Sequence, residues 1–311
     1  MALRFIVTLL LLGPAIADPP PISFWPQPRS VSFGNISTPI SHQLGWAGES
    51  AQYVFDYAQR LFAKVFVNEP ADEPKGAVQS CYILVSNPHD PLRVGVDETY
   101  SLNISSSGCV LSAKTVYGAY MGLQTLGQAI RFDFDTQRYE VAGTPLVVND
   151  APKFAWRGIL IDTDRHWLSL PTIMQIIDAL TYAKLNVLHW HLVDWQSWPM
   201  QSAAYPKLWN AAWSKRERYT FSDVSKVVAY AATQGVVVVP EFDTPGHASS
   251  MCRGYPELCC SALCAENDNH PLSPVPDANG KNVSLDAIKA VLTELAAVFP
   301  GEFFQSDFYF A

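Results

Sequence analysis

Polar and ionisable residues collect at three places in the chain, each directly after a short apolar run. The three segments are DTDRHW at 162–167, HLVDWQSWP at 191–199 and PEFDTPGH at 240–247. Carboxylates, imidazoles and a guanidinium can exchange protons and hold hydroxyl groups, and the tryptophans among them offer flat apolar faces. A sugar presents both kinds of surface, since its hydroxyls are polar and its ring faces are apolar. The combination indicates chemistry on a carbohydrate, provided that the fold brings the three segments together.

The elements around these segments alternate between apolar strands and amphipathic helices. In the helix predicted at 171–184, Pro171 suits the first turn, and Ser222 is expected to cap the next helix. Strands joined by helices form a parallel sheet with right-handed crossovers, so their carboxyl ends lie at one edge. The strands are predicted at 157–162, 186–193 and 236–242, with a fourth opening at 302–304, and the helices at 171–184, 222–235 and 284–299.

Two architectures fit this alternation, an open doubly wound sheet and a (β/α)8 barrel. No strand is followed by the Gly-rich fingerprint that an open nucleotide-binding sheet carries. Polar segments at strand ends are instead typical of the TIM-type barrel. The predicted fold class is therefore α/β, with a TIM-type (β/α)8 barrel that is truncated after about three βα units and preceded by a small α+β domain.

The stretch before the barrel has a different pattern. Residues 18–150 mix helical runs with short alternating strands, which predicts a non-catalytic α+β domain, and residues 151–311 are expected to form the incomplete catalytic domain. Residues 1–17 carry one arginine, an apolar run and a small-residue site ending at Ala17, which is typical of a secretory signal peptide. The apolar run is too short to span a bilayer, so no membrane span is expected.

The composition limits the partners. With 49% apolar and 16% charged residues, the 311-residue chain has ample material for a folded core. Its formal net charge of −8 argues against nucleic acid or an anionic membrane as the main partner, because both require a basic surface.

Six cysteines and three sequons fit the secretory pathway, with a lysosome, a vacuole or the extracellular space as the destination. The candidate glycosylation sites are Asn35, Asn103 and Asn282. Cys81 and Cys109 flank a strand-rich stretch and could pair, whereas the other four cysteines lie within 252–264. The spacing of that group fits paired zinc ligands poorly, so disulfides that pin a long loop are favoured and no metal is expected.

Longer motifs carry a specific resemblance. The segments WRGILIDTDRHWLSLPTI, KLNVLHWHLVDWQSWPM and GVVVVPEFDTPGHASS resemble successive strand motifs of the β-N-acetylhexosaminidases of glycoside hydrolase family 20. WPQPRSVSFG near the start is similar to the opening of that family's non-catalytic domain. The likeness runs from about Phe24 to Phe304 and is densest between Trp156 and Ala248.

The resemblance implies a substrate and a set of roles. Such enzymes remove terminal N-acetylglucosamine or N-acetylgalactosamine by a retaining route in which the sugar's own acetamido oxygen attacks the anomeric carbon, and they need no cofactor. Arg165 would then hold sugar hydroxyls, while Asp194 and His247 would support the general acid. His191 and Glu241 would be further members of that network. The implied partners are glycans ending in N-acetylhexosamine, and family members also form homodimers or heterodimers.

Two departures from the family accompany the likeness. The residue after Asp194, often acidic in relatives, is Trp195 here, which could alter the pocket or the leaving-group preference. The family's catalytic Asp-Glu pair would follow Phe304, but the chain continues as QSDFYFA to residue 311, and Asp307 is an unsuitable substitute because no glutamate follows it. We therefore expect a truncated product that contains no catalytic residue and does not turn over substrate alone.

Three alternatives remain open at this stage. His189 and His191 lie two apart on a predicted strand and point the same way, as a metal pair in a barrel hydrolase would. The short chain could instead have a non-enzymatic role, as a sugar-binding remnant or as a partner of a full-length subunit. The polar residues could also form only a buried hydrogen-bonded network under the barrel mouth.

Overall fold

The structure is a computed structural model, and it describes residues 21–259 and 272–306. The predicted signal peptide, Cys260, Cys264 and Asp307 lie outside these ranges. None of the described helices is both long and apolar enough to cross a bilayer.

In chain order the strands are β1 (Ser30–Ser32), β2 (Ile36–Glu49), β3 (Val78–Asn87), β4 (Tyr100–Ser105), β5 (Gly108–Thr115), β6 (Ile130–Asp133), β7 (Arg138–Thr144), β8 (Leu146–Asp150), β9 (Gly158–Asp162), β10 (Val187–Val193) and β11 (Val237–Phe242). The α-helices are α1 (Gln52–Phe62), α2 (Val116–Ala129), α3 (Leu170–Tyr182), α4 (Phe221–Thr233), α5 (Ser249–Gly254) and α6 (Val283–Val298).

The first eight strands form one mixed sheet in the order β1-β8-β4-β5-β3-β2-β7-β6. β3 runs parallel to both β2 and β5, and the other pairs are antiparallel. α1 and α2 pack together beside this sheet, and α2 also packs on β4 and β5. α2 is buried on nearly every side, which fits its high content of apolar and small residues.

A disulfide ties the centre of this sheet. Cys81 on β3 and Cys109 on β5 are direct partners in the parallel register, with Cα atoms 4.5 Å apart, and their side chains are bonded. The pairing suggested by the sequence is therefore confirmed. A second disulfide joins Cys252 to Cys259 in the segment after β11.

The last three strands form a separate parallel sheet in the order β11-β10-β9. α3 and α4 are the crossovers, so these elements are successive βα units of a TIM-type barrel. The fourth strand expected at 302–304 is wrong in position, because the pairing occurs at Gln305. There the chain runs parallel to β11, and the Gln305 N–H donates to the Pro240 carbonyl at 3.0 Å.

The helix starts follow side-chain capping. Ser169 caps α3 by accepting the Thr172 N–H, and Asn282 caps α6 by accepting the Leu285 N–H. The cap expected at Ser222 is wrong, since the N-cap of α4 is Thr220. Thr220 accepts the backbone N–H of Asp223, whose carboxylate accepts the N–H of Thr220 in return. This capping box satisfies two otherwise free backbone donors and sets the start of α4 two residues earlier.

The first sheet with its helices and the second sheet with its helices form two units, and buried polar contacts join them. Arg157, just before β9, pairs with Glu98 at 2.7 Å, and Glu98 is 3% exposed. Lys184, after α3, donates to the Tyr100 and Thr125 hydroxyls at 2.9 and 2.6 Å. Because these groups would be costly to bury unpaired, the contacts hold the second sheet in one orientation against the first.

Candidate active site

The polar segments meet at the carboxyl ends of β9, β10 and β11. In the parallel register His191 lies opposite Asp162 on one side and Glu241 on the other. Parallel strands in register end together, so the residues that follow each strand share one edge of the sheet. All five residues that the sequence singled out are brought together there: Arg165, Asp194, His247, His191 and Glu241.

Asp194 is the centre of this cluster, and its side chain is fully buried. One oxygen lies 2.6 Å from the Arg165 guanidinium, 2.9 Å from His191 Nε2 and 3.5 Å from His247 Nδ1. The other oxygen accepts the backbone N–H of Trp195 at 2.6 Å. A carboxylate held by a cation, two imidazoles and a backbone amide is fixed in position and well compensated in charge.

Arg165 is positioned by the loop that follows β9. Asp162 accepts the backbone N–H groups of Asp164 and Arg165 at 3.1 and 3.0 Å, and its second oxygen lies 2.8 Å from the Arg165 guanidinium. Burial alone would lower the pKa of Arg165, but the neighbouring carboxylates outweigh it and raise the pKa, so the group stays charged. Its side chain is 35% exposed, and a guanidinium carries five donors. The remaining donors suit hydroxyl groups that approach from solvent.

His191 and Glu241 form a strongly coupled pair beside Asp194. His191 Nδ1 lies 3.0 Å from the Glu241 carboxylate, and His189 Nε2 lies 2.7 Å from it. Burial alone would lower the pKa of His191, but Asp194 and Glu241 outweigh it and raise the pKa to about 10. Burial alone would raise the pKa of Glu241, but His189 and His191 outweigh it and lower the pKa to about 2. Near neutral pH the imidazolium and the carboxylate are therefore both charged.

Asp243 joins the cluster from the end of β11. Its carboxylate lies 2.9 Å from His247 Nδ1. Burial and the nearby Asp194 raise the pKa of Asp243 to about 6, although His247 acts in the opposite direction. His247 has a φ of 48°, a left-handed conformation that is uncommon outside glycine and persists only where the surroundings hold it.

Asp164 has a different environment although it follows the same strand as Arg165. It is completely buried, and neither carboxylate oxygen has a hydrogen-bond partner among the described residues. Burial, with repulsion from Asp194 and Asp162, raises the pKa of Asp164 to about 7, and the Ser197 backbone and Arg165 offset this only in part. Asp164 is thus a neutral acid through the acidic range.

Sequence reasoning did not single out Asp162, Asp164 or Asp243 as site residues, and it considered His189 only as a metal ligand. The signal for the aspartates was present, because each lies in a polar segment directly after a strand. Their individual partners could not be assigned, because these depend on distances across strands.

The chemistry of the donors argues against a metal at this cluster. The described residues that could approach one ion together are His191, Asp194 and Asp243, and His189 is not among them. His191 carries a proton at neutral pH and offers no lone pair, and the Arg165 guanidinium already neutralises Asp194. The pair expected in a metal hydrolase, His189 and His191, instead contacts Glu241.

Most tryptophans around the cluster belong to the core. Trp190 and Trp198 are at most 1% exposed, and Trp167 stacks on Tyr219 with ring centroids 5.7 Å apart. Trp195 is partly exposed beside Asp194.

Comparison with known proteins identifies the relatives of this arrangement. Residues 154–306 match the family described as glycosyl hydrolase family 20, catalytic domain, and residues 24–129 match a family described as beta-acetyl hexosaminidase like. Beta-hexosaminidase 1 and beta-hexosaminidase 3 of Arabidopsis thaliana are 35% and 37% identical over 96% and 93% of this chain. The chain spans 58% and 56% of the length of these two relatives.

The fold is also similar to that of a solved structure. The X-ray structure of Flavobacterium johnsoniae chitobiase superposes with a TM-score of 0.76 over 91% of this chain and 44% of its own, at 24% identity. This match supports the α+β unit followed by the first part of a barrel as the architecture of the chain.

Proposed function

This chain belongs to glycosyl hydrolase family 20, and we propose that its protein is a glycosidase of the β-N-acetylhexosaminidase type. Its substrates would be glycans that end in non-reducing N-acetylglucosamine or N-acetylgalactosamine, hydrolysed by the substrate-assisted retaining route. The observation that carries the proposal is the Arg165–Asp194–His247 cluster, which lies where parallel-barrel enzymes place their site.

Each member of the cluster then has a physical role. Arg165 holds two hydroxyls of the terminal sugar with its remaining donors, because a planar guanidinium binds in bidentate fashion. Asp194 keeps that guanidinium in place and links it to His247. Through the charged pair of His191 and Glu241, the far side of the cluster is held rigid, so little reorganisation is needed when the sugar binds.

The general acid itself is not a member of this cluster. The family resemblance puts an Asp-Glu pair after Phe304, and no such pair occurs in residues 305–311. The assembled residues are those that bind the sugar and support the acid. Sugar binding tests the role of these residues directly.

Further parts of the proposal concern the whole chain. We place the division between a non-catalytic domain and the catalytic domain near residue 150, where β8 ends the first sheet. We also place the protein in the secretory pathway, supported by the two disulfides and by Asn35 and Asn103, which are exposed sequons. Asn282 remains a candidate glycosylation site, although its side chain also caps α6.

The test measures, by ligand-observed NMR, the binding of N-acetylglucosamine to chain 1–311 and to its Arg165→Ala variant. Losing charge-assisted hydrogen bonds worth about 1.5–3 kcal/mol weakens binding by roughly 10- to 150-fold. Arg131→Ala is the control, because Arg131 is an exposed arginine that pairs with Glu140 in the first sheet. Equal binding by wild type and Arg165→Ala, or no binding by wild type, would overturn the proposal.

A further inference from the structure

Trp195 differs from the other tryptophans of the second sheet's unit. Each of the others has a structural partner: a core position, a stacked or edge-on ring, a cation over its face, or a backbone acceptor for its indole N–H. These are Trp156 with Phe303, Trp167 and Trp190 with Tyr219, Trp198 with Phe242, Trp209 with Arg218 and Trp213 with the Asp164 carbonyl. Within residues 21–259 and 272–306, Trp195 has no partner ring and does not pack on the buried core.

The backbone of Trp195 is nevertheless hydrogen-bonded through both its N–H and its carbonyl group. Its N–H donates to Asp194 at 2.6 Å, and its carbonyl accepts from Ser249 at 3.3 Å and from Arg253 at 3.4 Å. Arg253 also donates to the Gln196 carbonyl at 2.7 Å. A large apolar side chain on a rigid backbone, partly exposed and unused by the core, is the kind of group that contacts a ligand, because little conformational entropy is lost on binding.

The position of Trp195 restricts which part of a ligand it can reach. Asp194, the residue before it in the chain, is fully buried and is paired with Arg165 and His247. Arg165 serves the terminal sugar in the proposed function, while His247 and Asp194 serve the acid that protonates the leaving oxygen. Trp195 follows Asp194 directly and is partly exposed, so its indole is near enough to contact the leaving-group side of a ligand bound there.

We propose that Trp195 is a specificity-determining residue whose indole stacks on the ring of the sugar on the leaving-group side of the scissile bond. The inference rests on the proposed function and deepens it. A sugar ring offers an apolar face of axial C–H groups to the indole, while its hydroxyls remain in solvent. The protein would therefore prefer a disaccharide or longer chain over a single sugar or a small alkyl glycoside.

The test compares the binding of N-acetylglucosamine and of its β-1,4-linked disaccharide to chain 1–311. Wild type is expected to bind the disaccharide more tightly. Trp195→Ala should lose about tenfold in disaccharide affinity, which corresponds to a stacking contribution of ~1.4 kcal/mol, and should keep its affinity for the monosaccharide. Trp195→Phe should retain most of the preference, since it keeps an aromatic face.

Two controls separate the possible failures. Trp25→Ala removes a tryptophan that is 67% exposed in the first sheet's unit and should change neither affinity. Thermal unfolding of each variant verifies that the fold is kept. If Arg165→Ala loses monosaccharide binding but Trp195→Ala keeps the disaccharide preference, the inference is wrong and the proposed function stands. If wild type binds neither sugar, both are wrong, and if it binds both equally, only the inference is overturned.

Discussion

At the residue scale, the strand-end cluster contains two kinds of carboxyl group. Glu241 has cationic partners that lower its pKa to about 2, whereas the Asp164 oxygens have no hydrogen-bond partner among the described residues and burial raises the pKa of Asp164 to about 7. A buried carboxylate without a donor is expensive, so the fold favours the neutral form.

The protonation of Asp164 predicts a pH dependence of stability. In the unfolded chain this carboxyl ionises near its ordinary value of 3.8, but in the fold it ionises at about 7. The native state therefore holds an extra proton between these values, and its stability falls as the pH rises from about 4 to about 7. The loss is on the order of 4 kcal/mol, from ~1.4 kcal/mol per pKa unit. Asp164→Asn removes this dependence, because an amide does not ionise.

Chemical denaturation of wild type and Asp164→Asn between pH 4 and pH 7 measures the difference. As the pH rises, the free energy of unfolding of Asp164→Asn should increase relative to that of wild type. Asp135→Asn, at an exposed position, provides the control for the loss of one carboxyl group. A constant gap for Asp164→Asn would show that Asp164 is ionised in the fold throughout.

At the element scale, the helices begin where a side chain can accept a backbone N–H, and the apolar pattern alone does not specify that residue. Thr220 and Ser222 are both good capping residues near the start of α4, but only Thr220 is joined to Asp223 in a capping box. The start of α4 matters for the site because α4 is the crossover that leads into β11.

Thr220→Ala is expected to destabilise the protein by about 1 kcal/mol, the usual contribution of an N-cap. Ser222→Ala is the matched control, since Ser222 is exposed within the first turn and should change stability by less than about 0.5 kcal/mol. Urea denaturation of the two variants gives both values. Equal effects, or a larger effect at Ser222, would contradict the capping box seen here.

At the scale of the whole molecule, the contact between the two units includes a buried ion pair. Glu98 is buried against Arg157, and desolvation raises its pKa despite that partner. Removing the arginine would leave a buried carboxylate without compensation. The units would then lose part of the contact that makes them unfold together.

Arg157→Met is expected to destabilise the protein by roughly 3 kcal/mol and to separate the unfolding of the two units in calorimetry. A double variant with Glu98→Gln should recover part of the loss, since no charge then remains buried. Removing Arg138, whose pair with Asp72 is exposed, should cost at most about 1 kcal/mol. A single unchanged transition in Arg157→Met would show that the pair does not couple the units.

The sequence by itself determined which residues could meet. The alternation of strands and helices predicted a parallel sheet, which puts every strand end at one edge, and the family resemblance singled out Arg165, Asp194 and His247 among the residues there. The pairing of Cys81 with Cys109 was suggested by the position of the two cysteines, which flank a strand-rich stretch. The predictions of the parallel sheet and of the disulfide succeed because periodicity and spacing act along the chain.

Only the tertiary structure decided which contacts each residue makes and how deeply it is buried. Asp162, Asp164 and Asp194 all follow apolar strands, yet one fixes a loop, one is buried as a neutral acid and one carries the site's charge network. Trp195 and Trp198 stand three apart, and only Trp198 is core. The difference arises because burial and Coulomb interactions depend on distances of a few ångströms across neighbouring strands, and those distances exist only once the sheet has formed.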